Sequence, residues 1–372
     1  MMRSLRVVML LTDGYGGRGG IAKFNRDFLN ALDSCVLVHR VNALPRVIPE
    51  SIQEAIPEAI IYDRKAARGR LAFLYRLALQ TYREMRIDLV VCGHLHLLPA
   101  AWLVARLRRA RLALIIHGIE SWVPSPRFLA RLLADKVDAV IAVSYYSAER
   151  FTQWSKVPIE QCFILPNCVD LETFLPQSRD PNLLERYNFK SNRIILTVAR
   201  LSSQERYKGI DQMIELMPRL LKQFPDLKYL IVGQGDDRPR LEVKAIDCGV
   251  ADYVIFAGQI PEFEKVAHYN LADAYVMPST GEGFGIALIE AAACGVPVIG
   301  SRVDGSSETL RDGLLGCLVD PSDRDEVVEA LTVILSNQRS RNRSDAIDVF
   351  SVQNFRARVA DWCQTQAACA AG

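Results

Sequence analysis

Residues 5–32, LRVVMLLTDGYGGRGGIAKFNRDFLNAL, contain the pattern that decides the fold. Leu5–Leu11 is almost continuously apolar, which is typical of a strand buried on both faces of a parallel sheet. A glycine-rich turn follows, and apolar residues then recur at helical spacing from Ile21 to Leu32. A strand, a glycine loop and a helix in this order predict the start of a βαβ unit.

The glycines of this turn leave three interpretations open. Gly14, Gly16 and Gly19 match G-x-G-x-x-G, in which the following helix start offers N–H groups to a phosphate. A nicotinamide dinucleotide would also need an acidic residue at the end of the second strand. We place that strand at 35–41, and residues 38–42 contain no acid. A phosphate-binding turn for another ligand and a purely structural loop remain alternatives.

Strands and helices alternate along most of the chain, which predicts an α/β fold with parallel sheets. The alternation includes a helix predicted over 64–85, and it stops in a proline-rich segment over 166–190 before it starts again. We therefore expect two Rossmann-like, doubly wound domains that face a central cleft. The first spans 1–175 and the second spans 176–350, and a last helix over about 351–372 packs back on the first domain.

Composition restricts the class of protein. The 372 residues suit two domains, and 50% hydrophobic with 24% charged residues exclude a disordered chain, a collagen and a coiled coil. Apolar runs are shorter than a membrane span requires, and the first of them is better explained as a strand than as a signal peptide. Nine cysteines without a C-x-x-C pair indicate a reduced, cytoplasmic protein.

Polar residues follow several predicted strands, where ligands bind in such sheets. His117 comes directly after the strand over 112–116, and Arg200 and Lys208 follow the strand over 193–199. The two cations suit a diphosphate. His94 and His96 lack a nearby third metal ligand, so we expect no metal site there.

The segment 281–290, GEGFGIALIE, is the strongest of these signals. It places Glu282 in a loop and Glu290 two turns into a helix, with a glycine-rich helix start between them. Carboxylates that accept hydroxyl groups suit a ribose or a hexose, and a helical acid among Ala, Ile and Leu needs a partner.

These motifs together resemble the retaining GT-B glycosyltransferases of the "group 1" family, glycosyltransferase family four. The resemblance follows the order of the motifs through most of the chain. They are Gly19-Gly20-Ile21, His117-Gly118, Pro166–Asp170, Arg200 with Lys208-Gly209, Val232–Gly235, Phe256–Ile260, and Glu282 with Glu290 spaced as E-x7-E.

The resemblance implies a role for each matching position. The first domain binds the acceptor and the second binds a nucleotide-sugar, whose base lies near Gly258, Gln259 and Ile260. The ribose is held by Glu290, and Glu282 and His117 contact the transferred sugar. Further donor contacts are expected at Gly19, Gly20, Arg200, Lys208, Gly233, Phe284, Gly285 and Ile286.

The reaction implied is metal-independent and retaining, and it needs no cofactor. Asp323-Arg324-Asp325 has the form of a metal-binding Asp-x-Asp, but we interpret it as the acidic start of a helix. UDP-glucose is our first choice of donor. A GDP-sugar with a soluble acceptor is the alternative, and an NAD-dependent oxidoreductase is a remote one. The expected product is a step of polysaccharide biosynthesis.

Three features depart from the family pattern. Cys168 follows Asn167 where glycine is usual, the loop between Arg200 and Lys208 is longer than is common, and Asp304–Glu308 stands where Gly-Gly-x-Pro-Glu is usual.

The charge is divided unequally along the chain. Residues 1–180 carry a net charge of +7 and the remainder −5. Arginines cluster over 64–86 and 106–111, which predicts peripheral contact with an anionic membrane surface and a lipid-linked acceptor. A soluble enzyme with a basic acceptor site explains the same charge.

Overall fold

The computed structural model describes residues 4–337 and 342–371. The predicted domain ranges also include residues 1–3, 338–341 and 372, which lie outside the described part. The described residues form two compact units. Unit 1 contains residues 4–168 and 352–371, and unit 2 contains the described residues between 169 and 351.

In the described residues the strands are β1 (Leu5–Leu11), β2 (Val38–Pro45), β3 (Ile60–Tyr62), β4 (Leu89–Cys92), β5 (Arg111–Ile116), β6 (Ala139–Ala142), β7 (Cys162–Ile164), β8 (Ile194–Val198), β9 (Lys228–Val232), β10 (Val254–Gly258), β11 (Ala274–Met277), β12 (Val298–Ser301) and β13 (Cys317–Val319). The α-helices are α1 (Gly20–Asp33), α2 (Arg70–Arg83), α3 (Leu98–Arg108), α4 (Phe128–Leu132), α5 (Tyr145–Ser155), α6 (Pro181–Arg186), α7 (Ile210–Gln223), α8 (Arg238–Asp247), α9 (Lys265–Leu271), α10 (Ile286–Ala293), α11 (Ser306–Thr309), α12 (Arg324–Ser336) and α13 (Val352–Ala371).

Unit 1 is built on a parallel sheet with strand order β3-β2-β1-β4-β5-β6-β7. The chain reverses its direction of winding between β1 and β4, so the loops after these strands separate at this point. Ligands bind at such a switch point in doubly wound sheets. The glycine loop after β1 and Gly93 after β4 therefore lie where a ligand site is expected, and His117 follows the next strand, β5.

The last helix packs on the first. Phe24 of α1 lies edge-on to Phe355 of α13, with ring centroids 5.8 Å apart, and Phe28 lies 5.8 Å from Trp362. All four side chains are buried or nearly so. The core of unit 1 is thus formed by segments from both ends of the described chain.

Unit 2 repeats the architecture with strand order β10-β9-β8-β11-β12-β13, all parallel. Its switch point lies between β8 and β11. Arg200 and Lys208 follow β8, and Glu282 follows β11. The topology therefore brings the residues that the sequence motifs of this unit point to together at one edge of its sheet.

Two predicted elements differ from the structure. The second strand runs from Val38 to Pro45 and not over 35–41, because Cys35–Leu37 form a turn in which Val38 donates to the Cys35 carbonyl at 2.9 Å. The helix predicted over 64–85 is interrupted at Gly69, whose φ of +137° ends a short 3-10 helix before α2 begins. Glycine adopts this backbone conformation without a steric penalty.

Candidate functional site

Four charged side chains meet at the switch point of unit 2. Lys208 Nζ lies 3.4 Å from Glu282 Oε1 and 3.2 Å from Glu205 Oε2. The other oxygen of Glu205 contacts the guanidinium of Arg200. Lys208, Glu205 and Glu282 are only 13–15% exposed, whereas the Arg200 side chain is 68% exposed. Three of these residues were predicted from the sequence, and Glu205 was not.

The charge of Lys208 is maintained by its neighbours. Burial acts to lower the pKa of Lys208, but the carboxylates of Glu282 and Glu205 outweigh burial and raise it. The ammonium group is therefore a fixed positive charge at neutral pH. In a poorly hydrated site such a charge interacts strongly with an anion.

The loop that carries Glu282 is packed tightly against its neighbours. A Cβ atom on Gly305 would lie 2.2 Å from the Gly283 carbonyl oxygen, so glycine is required where the two loops approach. Phe284 is buried, and its ring lies 5.5 Å from that of Phe350, so only its backbone remains for a ligand. Gly285 has a φ of +84° and leads into α10, whose first residue is Ile286.

Asp304 holds the same loop in place through hydrogen bonds to its carboxylate. Its Oδ2 accepts hydrogen bonds from Ser279 Oγ at 2.6 Å and from the Glu282 N–H at 2.9 Å. Its Oδ1 accepts the Ser306 N–H at 2.9 Å. Burial raises the pKa of Asp304 to about 6, although these bonds oppose the rise. The residue that departs from the family pattern thus holds the backbone of Glu282.

Glu290 is buried, and each oxygen of its carboxylate has a polar partner. Its Oε1 lies 3.1 Å from Lys265 Nζ, and its Oε2 accepts a hydrogen bond from Tyr269 Oη at 2.8 Å. Glu290 is 1% exposed, and both partners come from α9. Burial acts to lower the pKa of Lys265, but Glu290 and Glu262 raise it. Sequence analysis missed Lys265 and Tyr269, which are four residues apart and so share one helix face.

The remaining donor residues predicted in unit 2 lie at the same edge of the sheet. A Cβ on Gly233 would be 1.8 Å from the Ala199 carbonyl oxygen, so this glycine is required by the packing of the protein itself. Its N–H donates to the Gly258 carbonyl at 2.8 Å. Gly258 ends β10, and Gln259 and Ile260 follow it, exposed and half-buried respectively.

His117 is oriented by hydrogen bonds in unit 1. Its Nε2 lies 3.0 Å from the Gly93 carbonyl oxygen, and its backbone N–H donates to Glu120 Oε1 at 2.6 Å. Burial lowers the pKa of His117, while Glu120 and the Gly93 carbonyl oppose that change. A neutral ring that donates from Nε2 has its lone pair on Nδ1. Within the described part of the chain no hydrogen-bond partner of Nδ1 is present.

The glycines of the first loop serve different purposes. A Cβ at Gly16 would lie 2.5 Å from the Glu50 carbonyl oxygen, so packing explains that glycine. A Cβ at Gly19 or Gly20 would meet no atom within 4 Å. Gly19 has a φ of +86°, which favours glycine. Gly20 begins α1, and neither tight packing nor a positive φ requires a glycine there.

The two histidines after β4 interact with each other. His94 Nδ1 accepts the His96 N–H at 3.1 Å, and burial lowers the pKa of His94 to about 3. Over residues 4–337 and 342–371 no group of three or more metal-ligating side chains is found. Asp323 accepts the N–H groups of Asp325 and Glu326 and so caps α12, as its interpretation as a helix start predicts.

Two family models match the chain. The model described as "Glycosyl transferases group 1" matches residues 181–346, and the one described as "Glycosyltransferase Family 4" matches residues 18–173. Both matches lie almost entirely within one unit each.

The curated relatives of this chain include mannosyltransferases. A GDP-mannose-dependent alpha-(1-6)-phosphatidylinositol monomannoside mannosyltransferase of Mycolicibacterium smegmatis is 35% identical over 65% of this chain. The match spans 66% of that relative, just under two thirds of its length. A GDP-mannose-dependent monoacylated alpha-(1-6)-phosphatidylinositol monomannoside mannosyltransferase of Corynebacterium glutamicum is 28% identical over 90% of both chains.

Solved structures share the fold. HepE of Anabaena, in complex with UDP and glucose, matches 97% of this chain and 100% of its own, with a TM-score of 0.76 and 20% identity. Sucrose-phosphate synthase from Thermosynechococcus elongatus matches 98% of this chain and 97% of its own, with a TM-score of 0.71 and 22% identity. The two parallel-sheet units are those of the GT-B fold.

Proposed function

Because the chain belongs to the group 1 glycosyltransferases, family four, we propose that it transfers mannose from GDP-mannose to a sugar on a membrane lipid. The observation that carries this proposal lies at the switch point of unit 2, where Lys208 lies against Glu282 and is linked to Arg200 through Glu205. We propose the GDP-sugar of the alternative rather than the UDP-glucose of our first choice, because the two curated relatives described above are GDP-mannose-dependent. The UDP-bound neighbour is 20% identical and supports the fold alone.

The cations act on the leaving group. As the bond from mannose to GDP breaks, negative charge develops on the diphosphate. Arg200, Lys208 and the N–H groups at the start of α10 would stabilise that charge, which is the largest single contribution in many enzymes. Since these groups supply positive charge themselves, we propose that the reaction needs neither a metal ion nor a cofactor.

The transferred sugar would be held by hydroxyl contacts. Glu282 offers carboxylate oxygens from a loop whose backbone is fixed by Asp304. In unit 1, the Nδ1 of a neutral His117 ring would accept a hydroxyl group, since Nε2 is engaged with Gly93. We propose that the configuration at the anomeric carbon is retained, as the resemblance implies.

The rest of the nucleotide would lie toward β10. Glu290 would accept the ribose hydroxyls by exchanging its contacts with Lys265 and Tyr269. The base would lie on the backbone at 258–260. In unit 1, the open Cβ position of Gly20 leaves room for a ligand at the start of α1.

A lipid acceptor is favoured by the surface of α2. This helix buries Phe73 and Leu77 on one face, yet it also carries large apolar side chains on its exposed face. We name as the apolar stripe the exposed residues Leu71, Leu74, Tyr75 and Tyr82. Exposed basic residues lie beside it at Arg64, Lys65, Arg68, Arg70 and Arg83.

An apolar face flanked by cations suits an anionic membrane surface, on which such a helix lies in the interface plane. We therefore propose peripheral association with the cytoplasmic face of the membrane. None of the helices in the described ranges is both long and apolar enough for a membrane crossing.

A transfer assay tests the function. Purified protein is incubated with radiolabelled GDP-mannose or UDP-glucose and with either phosphatidylinositol mannosides in vesicles or a water-soluble mannoside, with and without EDTA. Label that enters the lipid from GDP-mannose, with or without EDTA, supports the proposal, and NMR of the product gives the anomer. Transfer from UDP-glucose alone, or only to a water-soluble mannoside, would reject the donor or the acceptor respectively.

A further inference from the structure

A single carboxylate bridges the two cations of the donor site. One oxygen of Glu205 contacts the Arg200 guanidinium, and the other lies 3.2 Å from Lys208 Nζ. Glu205 comes from the segment between these two residues, which is longer than is common in the family. A carboxylate presents the same kind of anionic acceptor oxygens to Arg and Lys as a phosphate does.

The cluster as it stands carries no net charge. Arg200 and Lys208 contribute two positive charges, and Glu205 and Glu282 contribute two negative charges. A diphosphate that enters a neutral cluster gains little, because each cation is already paired. Strong binding of the diphosphate therefore requires that one carboxylate leave its cations.

Glu205 is the carboxylate that can leave. Glu282 is held by its backbone, since its N–H donates to Asp304 and its carbonyl accepts the Gly305 N–H at 2.9 Å. The backbone bonds of Glu205 stay within its own short loop, where its N–H donates to the Ser202 carbonyl at 2.8 Å and its carbonyl accepts the Lys208 N–H at 3.2 Å. Its partner Arg200 is 68% exposed, so the guanidinium can turn into solvent and release the Glu205 carboxylate, which is itself 13% exposed.

We propose that Glu205 occupies the diphosphate subsite of the donor-free protein and is exchanged for the diphosphate of the donor. This inference rests on the proposed binding of the donor at Arg200 and Lys208. Glu205 then keeps both cations paired while the site lacks a donor, and it sets the affinity for the diphosphate by competing with it.

Calorimetric titration of the full chain tests this exchange. The variants are Glu205→Gln, which removes the charge and keeps the shape, and Glu205→Asp, which keeps the charge but shortens the reach to both cations. Glu326→Gln is the matched control, because Glu326 pairs with Arg302 elsewhere in unit 2. The ligands are GDP, inorganic pyrophosphate and guanosine, at low salt and in 0.5 M NaCl.

We expect Glu205→Gln to bind GDP and pyrophosphate about tenfold more tightly than the native chain, with guanosine unchanged and a smaller gain at high salt. Glu205→Asp should lie between the two, and Glu326→Gln should match the native chain. Equal or weaker binding of pyrophosphate by both Glu205 variants would overturn the inference. Tighter pyrophosphate binding without any binding of GDP would support it and reject the proposed donor.

Discussion

At the scale of single residues, Glu282 and Asp304 have separable roles, although they contact each other. Glu282 presents a carboxylate next to Lys208, and Asp304 holds the Glu282 backbone from a buried position. The first is placed to act on a substrate and the second acts on the protein.

Replacement of Glu282 by Gln should lower kcat by about 100-fold, since the neutral amide lacks the negative charge and the second acceptor oxygen with which a carboxylate binds sugar hydroxyls. GDP should bind at least as tightly, because Lys208 loses an anionic neighbour. Steady-state kinetics with GDP-mannose and calorimetry with GDP measure the two effects. An unchanged kcat would exclude Glu282 from the chemistry.

Asp304 should make the chain less stable as the pH rises. Because burial raises its pKa to about 6, the stability that it contributes is complete below about pH 4 and is lost as the pH rises through 6. Between pH 4 and pH 7, the free energy of unfolding of Asp304→Asn should rise by up to about 3 kcal/mol relative to that of the native chain. Thermal unfolding at several pH values measures this difference.

Asp320→Asn provides the control for that experiment. Asp320 is half-buried, and its hydrogen bonds from Ser322 lower its pKa. The stability that Asp320 contributes must therefore change with pH in the opposite direction, and it is lost as the pH falls. A difference between the native chain and Asp304→Asn that does not vary with pH would show that Asp304 does not titrate in this range.

At the scale of elements, the apolar stripe of α2 makes a prediction about membranes. The double variant Leu71→Asp, Tyr75→Asp should lose most of its binding to anionic vesicles, because it removes apolar area and adds negative charge at the surface. Val333→Asp, an exposed apolar position on α12, is the matched control. Flotation with vesicles of anionic lipids measures binding, and unchanged flotation of the double variant would contradict the assignment of this face.

The same scale explains which elements the sequence could predict. Long apolar runs such as β1 and amphipathic helices such as α7 have a periodicity that a single sequence displays. The three-residue strands β3, β7 and β13 lack such a pattern and exist because a neighbouring strand pairs with them. The break at Gly69 was also missed, since a glycine is tolerated in a helical pattern.

The residues of the candidate site also divide into those that could be predicted from the sequence and those that could not. Glu282, Glu290, Arg200 and Lys208 were found because motifs and strand ends point to them. Glu205, Lys265 and Tyr269 were missed, because their importance comes from contacts that only the fold brings about.

At the scale of the whole molecule, the two units can be observed separately. Each unit has its own hydrophobic core. The four tryptophans, at positions 102, 122, 154 and 362, all belong to unit 1. Tryptophan fluorescence therefore reports on unit 1, whereas circular dichroism reports on both units.

GDP should stabilise unit 2 and leave the fluorescence transition of unit 1 in place. At about 100 times its dissociation constant, a ligand adds about 2.7 kcal/mol to the state that binds it. We expect the circular dichroism midpoint in denaturant to rise with GDP while the tryptophan midpoint stays constant. A parallel rise of both midpoints would mean that the units unfold together, and guanosine serves as the weakly bound control.

The return of α13 to unit 1 also sets an order of events on the ribosome. Unit 2 is complete in sequence once residue 351 has been added, but unit 1 still lacks the helix that covers Phe24 and Phe28. During synthesis the unit that begins first is thus the one that closes last, with an apolar face of α1 exposed in the interval. Such exposed faces are where nascent chains aggregate or meet chaperones. Loss of the last helix should therefore damage the first unit made rather than the one that precedes the helix in the chain.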